Sequence, residues 1–232
     1  MRTAFLIDGG FFLTRLWALK GKLEPRQAAR ALHGMCLEHL RKEHRTKQNL
    51  YRIFYYDCPP LTKKAHNPIT RQSIDFSKTP MAAWRREFFE ELKKLRKVAL
   101  RLGYLNERSA QWVLHSQPLK DLLAKRRTID DLTDRDVKYD VRQKGVDMRI
   151  GLDIASLAYK KLVDQIILIA GDSDFVPAAK LARREGIDFL LDPMWASIRD
   201  DLHEHIDGLC SVFPRPASRH PATDPGGSPS PP

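Results

Sequence analysis

Ala4-Phe5-Leu6-Ile7-Asp8-Gly9-Gly10 and, far along the chain, Gln165-Ile166-Ile167-Leu168-Ile169-Ala170-Gly171-Asp172 share one design: an unbroken apolar run that stops at a carboxylate beside glycine. Continuous apolar runs of this length suit strands buried on both faces, as in parallel sheets. Leu50–Tyr56 stops in the same way at Asp57-Cys58-Pro59-Pro60, and Ile187–Leu191, ending at Asp192-Pro193, repeats the pattern more weakly. Between these runs the period becomes helical. Ala28–Leu40 carries apolar residues at 28, 32, 35, 36 and 40, Met148–Lys161 carries Ile150, Ile154, Leu157 and Ala158, and Pro177–Arg184 follows the late strand. Strands alternating with helices predict βαβ units, hence a three-layer α/β fold with a central, mainly parallel sheet flanked by helices.

The chain has 232 residues, 42% of them hydrophobic, which is enough for one substantial core but hardly for two. Forty Lys and Arg against 29 Asp and Glu leave a formal net charge of +11. That balance favours a polyanionic partner, nucleic acid ahead of an anionic membrane surface. Cys36, Cys58 and Cys210 lie far apart without a CxxC pair, which points to a reducing compartment and away from a structural zinc. The apolar start is cut short by Asp8 and followed by Arg15 and Lys20, so it does not read as a signal peptide. No later run approaches the ~20 apolar residues of a membrane helix, and a cytoplasmic location is expected.

Two regions stand apart. Pro60–Pro80 is polar, basic and turn-rich, and leads into an expected long helix, Met81–Leu102, with Trp84, Phe88, Leu92, Leu95, Val98 and Leu102 at helical spacing. Its other face carries Arg85 and Arg86 among further basic residues and is a candidate phosphate-gripping surface. From Pro214 the chain is rich in Pro, Ser and Gly and is expected to be disordered, leaving residues 1–213 as the domain and 214–232 as a tail.

Asp8 and Asp172 each fall at the C-terminal end of a strand, the edge where open parallel sheets bind ligands. Asp147 opens a helix; at ~100° per residue it lies in line with Ile150, Ile154, Leu157 and Ala158, whereas Asp153 falls well off that stripe. Asp174 is either the cap of the next helix or a further acid of the site. Each residue has an ordinary structural reading as a turn former or cap. Together they form a set of hard oxygen donors suited to Mg²⁺ or Mn²⁺, which can orient water and neutralise a phosphodiester. Lys144 and Arg149 flank Asp147 and are candidates to guide a phosphate backbone. Histidines His33, His39, His44, His66, His115, His203 and His205, seven of the eight in the chain, show no compelling ligand spacing and read as structural or surface residues.

Leu6-Ile7-Asp8-Gly9-Gly10-Phe11, then Lys144-Gly145-Val146-Asp147 with Asp153, then Ala170-Gly171-Asp172-Ser173-Asp174-Phe175 resemble, in that order, the NYN domains of the PIN-like nuclease superfamily, within the bacterial LabA-like group. The resemblance reaches to about Phe213. It implies a central parallel sheet, an acidic Mg²⁺ or Mn²⁺ site and hydrolysis of RNA. It carries the metal-ligand role onto Asp8, Asp147 and Asp172, accessory roles onto Asp174 and Asp153, and a hydrogen-bonding role onto Ser173. The chain departs from the pattern at Phe11, where many relatives carry an Asn that helps hold a ligand or water. A homodimer is compatible with this reading, which sets no oligomeric state.

Two other motif readings fall away. Gly171-Asp172-Ser173 with Asp200-Asp201-Leu202-His203 suggests a GDS-type esterase, but its serine motif comes late instead of after the first strand. Gly171-Asp172-Ser173-Asp174 suggests a haloacid-dehalogenase phosphatase, which needs an acid where Gly10 stands. The competing reading of a different class is a non-catalytic RNA-binding or regulatory domain that keeps the fold.

Overall fold

The computed structural model describes residues 1–42 and 49–216. His44 and almost all of the expected tail lie outside these residues. The four apolar runs form strands β1 (Arg2–Asp8), β2 (Asn49–Asp57), β4 (Gln165–Ile169) and β5 (Asp188–Leu191); β3 (Val98–Leu102) and β6 (Gly208–Leu209) complete one sheet. Its order is β6-β5-β4-β1-β2-β3, with every neighbouring pair parallel. Helices α1 (Gly9–Lys20), α2 (Pro25–Lys42), α3 (Pro80–Lys93), α4 (Ser116–Leu123), α5 (Val146–Tyr159), α6 (Val176–Arg184) and α7 (Asp200–His203) surround it.

Alternation along the strands divides the core into two layers. Phe5, Ile7, Ile53, Tyr55, Ile167 and Ile169 pack with Phe12, Leu32 and Phe88 of α1, α2 and α3. Ala4, Leu6, Phe54, Tyr56, Ile166 and Leu168 pack with Ile150, Ile154 and Ala179 of α5 and α6. Because β1 is covered on both faces, its apolar run cannot alternate with polar residues. Burial is worth roughly 1.5–3 kcal/mol for each large side chain, and a polar residue at any of the four positions would forfeit it.

The chain runs from β1 outward to β2 and β3, then returns to place β4 on β1's other side. This reversal sets the C-terminal ends of β1 and β4 side by side, the ligand-binding position of such sheets.

The expected helix Met81–Leu102 is shorter than its apolar spacing implies. Helix α3 stops at Lys93, the chain turns with Lys97 in the left-handed region (φ 65°), and Val98–Leu102 becomes β3. Val98, Leu100 and Leu102 fit a period of two, while Val98 and Leu102 also continue the helical stripe. The free edge of β2 resolves the ambiguity by pairing with all five residues, Ile53 with Val98 through Asp57 with Leu102. The remaining stripe is core: Trp84 stacks on Phe88 with ring centres 5.1 Å apart, and its indole N–H donates to the Leu23 carbonyl at 2.9 Å. Three small antiparallel ribbons, to which the sequence reading assigned no strands, decorate this side: 64–66 with 73–75, 104–105 with 143–144, and 111–114 with 137–140.

His39 of α2 is buried against Asp192, Nε2 to Oδ2 at 2.8 Å, while the Met194 N–H and the Ser211 hydroxyl donate to Asp192 Oδ1 at 2.7 and 2.8 Å. Burial alone would lower the imidazole pKa, but the bonds to Asp192 and Cys210 outweigh it and leave it raised above 6.5. A raised folded pKa stabilises fully below the unfolded value and stops doing so as pH rises through the folded one. The urea midpoint is therefore expected to fall as pH is raised above about 6.5. A His39→Gln variant should show a flatter profile, and equal slopes would refute the assignment.

Candidate active site

Asp8 is both the last residue of β1 and the N-cap of α1, and its Oδ1 accepts the Phe11 N–H at 3.1 Å. Burial raises its pKa to about 6; the Phe11 bond opposes this, and the charges of Asp147 and Asp57 add to it. Asp147 lies exposed in the first turn of α5, which starts from Gly145 in the left-handed region at φ 79°. Its pKa is also raised, first by partial desolvation of the carboxyl beside its neighbours and then by the charges of Asp172 and Asp174. Asp172 follows β4 and Gly171; its Oδ1 accepts the Asp174 N–H at 3.1 Å and caps the short turn Ser173–Phe175. Thus Asp8, Asp147, Asp172 and Asp174 lie within electrostatic range, with Asp147 the link between the two strand ends.

Asp153 is engaged elsewhere. It accepts the Tyr56 hydroxyl at 2.8 Å and Arg101 Nε at 3.2 Å, one layer over toward β2 and β3.

Two glycines let the acid-bearing turns close. A Cβ on Gly9 would fall 2.5 Å from the Tyr55 hydroxyl and 2.7 Å from the Tyr56 carbonyl, so the start of α1 can press directly on β2. A Cβ on Gly171 would fall 2.5 Å from the Phe11 ring. Phe11 therefore lies over the Gly171 backbone and joins the turn bearing Asp8 to the turn bearing Asp172.

Beneath Asp8 is a group the sequence reading missed. Asp57, at the end of β2, is fully buried and accepts the Cys58 N–H at 2.7 Å, the Tyr55 hydroxyl at 3.2 Å and Arg85 Nη2. Arg85 also donates to the Cys58 carbonyl at 3.1 Å. Burial raises the Asp57 pKa, and Arg85 is the strongest opposing influence. Arg85 is thus engaged by Asp57 and the Cys58 carbonyl, with its side chain only 20% exposed, which corrects the expectation that it grips phosphate. Arg86 is only partly committed, donating to the Ser77 carbonyl at 3.0 Å, and Lys144 and Arg149 are exposed. The signal for Asp57 was present: Tyr56-Asp57-Cys58 ends a buried strand just as Ile7-Asp8-Gly9 does.

Among the described residues, no three His, Cys, Asp or Glu side chains are grouped so as to hold a metal ion as they stand. The donor chemistry nevertheless fits a hard dication. The acids offer only oxygen, and two of them carry raised pKa values partly because of their neighbours, a repulsion that a shared cation relieves. No described helix is long and apolar enough to cross a membrane.

Comparison with known families matches the NYN domain over residues 72–199, more than half of the chain. The match includes Asp147, Asp172 and Asp174 but not β1 and β2, which complete the same sheet. No curated protein matches. With that match over more than half of its length and a parallel α/β sheet, the chain belongs to the NYN domain family, a family of PIN-like nucleases.

Proposed function

We propose that this protein is a cytoplasmic, metal-dependent endoribonuclease of the LabA-like group that hydrolyses RNA phosphodiester bonds. The observation supporting this reading is that Asp147 feels the charges of Asp172 and Asp174 and itself acts on Asp8 across the ends of β1 and β4, in a chain of net charge +11. Asp8, Asp147 and Asp172 would hold Mg²⁺ or Mn²⁺, which when bound supplies charge neutralisation and a water of lowered pKa. Asp174 positions the attacking water, and Ser173 donates a hydrogen bond to a phosphate oxygen. Lys144, Arg149 and Arg86 guide the backbone, so affinity falls as salt rises. No covalent enzyme intermediate is required.

Phe11 favours a second reading, a non-catalytic RNA-binding domain, because it fills the position of the Asn with an apolar ring. A cleavage assay on labelled RNA with Mn²⁺, set against EDTA and against Asp172→Asn, separates the two. Cleavage lost in EDTA and reduced about 100-fold or more by the substitution is expected. Intact RNA binding without cleavage in every preparation would establish the binding module instead.

A further inference from the structure

The ribbon that leads into α5 places an aromatic ring beside the acids. Tyr104 pairs directly opposite Lys144, and residues opposed in an antiparallel pair carry their side chains on one face. Leu105 and Gln143 take the other face and line a cleft with Cys58 and Arg85. Tyr104 is 60% exposed, yet its backbone is held firmly. Its carbonyl accepts the Cys58 thiol at 3.4 Å, and the preceding Gly103 N–H donates to the Asp57 carbonyl at 2.8 Å. A Cβ on Gly103 would stand only 2.5 Å from the Lys144 carbonyl, so the two strands of the ribbon are pressed together.

Gly145 lies at the centre of this surface. A Cβ there would stand 3.9 Å from the Tyr104 ring and 3.9 Å from Arg149 Nε, and Asp147 follows two residues later. One exposed ring, one exposed guanidinium and the exposed Lys144 ammonium therefore border the acid site. An aromatic face flanked by phosphate-binding cations is how proteins hold unpaired bases, because every base offers a π-face. In a duplex those faces are covered by stacking.

We propose that Tyr104 is a stacking platform for an unpaired base beside the scissile phosphate, with Lys144 and Arg149 holding adjoining phosphates, so that the site selects single-stranded RNA. The inference rests on the nuclease reading above and specifies its substrate.

Fluorescence anisotropy with a short unstructured RNA and a matching duplex tests it, in EDTA so that binding is read without cleavage. Tyr104→Ala is expected to weaken single-strand binding about 10-fold with the salt slope unchanged. Tyr104→Phe and Tyr104→Trp restore it, and duplex affinity stays the same in all three. Under Mn²⁺, Tyr104→Ala raises KM and leaves kcat near that of wild type. Wild-type affinity in Tyr104→Ala would overturn the platform while leaving the nuclease reading intact. Failure of the wild type both to bind RNA in EDTA and to cleave it under Mn²⁺ would overturn both.

Discussion

Asp8→Asn should reduce RNA cleavage about 100-fold or more and, at the same time, make the metal-free protein more stable. The folded state holds the Asp8 proton to a pKa of about 6, against 3.8 for the ordinary carboxyl. Raising the pH through that interval costs the folded protein stability, because the buried carboxylate must ionise beside Asp147 and Asp57. Two pKa units correspond to roughly 2–3 kcal/mol at most. Some of this is forgone because Asn gives the Phe11 N–H a weaker acceptor than a carboxylate does. A gain of about 1–2 kcal/mol is the expected result by urea denaturation in EDTA at pH 7.5. It should vanish near pH 4, where wild-type Asp8 is protonated in the folded state. A variant that is less stable at pH 7.5, or that still cleaves, would contradict the role given to Asp8.

Arg85→Ala has the largest expected effect on folding. Asp57 is completely buried, and Arg85 is its charge partner. Breaking such a pair from one side typically costs about 3–5 kcal/mol, because the remaining charge has neither water nor a counterion. Adding Asp57→Asn to Arg85→Ala should recover much of that loss, and denaturation of the single and double variants measures the coupling. If Arg85 instead gripped phosphate, the single variant would keep its stability and lose RNA affinity.

These two sites show what could be read before the fold was known. The strand-end positions of Asp8 and Asp172 were legible because an apolar run that stops at an acid beside glycine marks where a buried strand ends. Helix phase put Asp147 in line with Ile150, Ile154, Leu157 and Ala158, which all turn inward, but Asp147 itself, in the open first turn of α5, stays exposed. Arg85 was misread because sequence spacing shows which face of a helix is basic but not what that face meets. The partner, Asp57, comes from a strand 28 positions away. Strand β3 was missed for a related reason: its alternation also satisfied a helical stripe, and only the open edge of β2 decided between them. The ribbons at 104–105 and 143–144 have too few residues to show any period, so the surface carrying Tyr104 was not foreseeable.

The central place of β1 also governs when the protein can work. Its Thr3 pairs with Gln165, 162 positions later, and contacts that distant form late because a long loop must close first. On the ribosome β1 and β2 can meet early, but β1 keeps an open edge until β4 has been made. Asp172 comes just after β4, beyond Ala170 and Gly171, so it reaches its place only when β4 joins the sheet. A nascent or truncated chain that ends before β4 lacks both Asp172 and Asp174 and leaves β1 unpaired on that side.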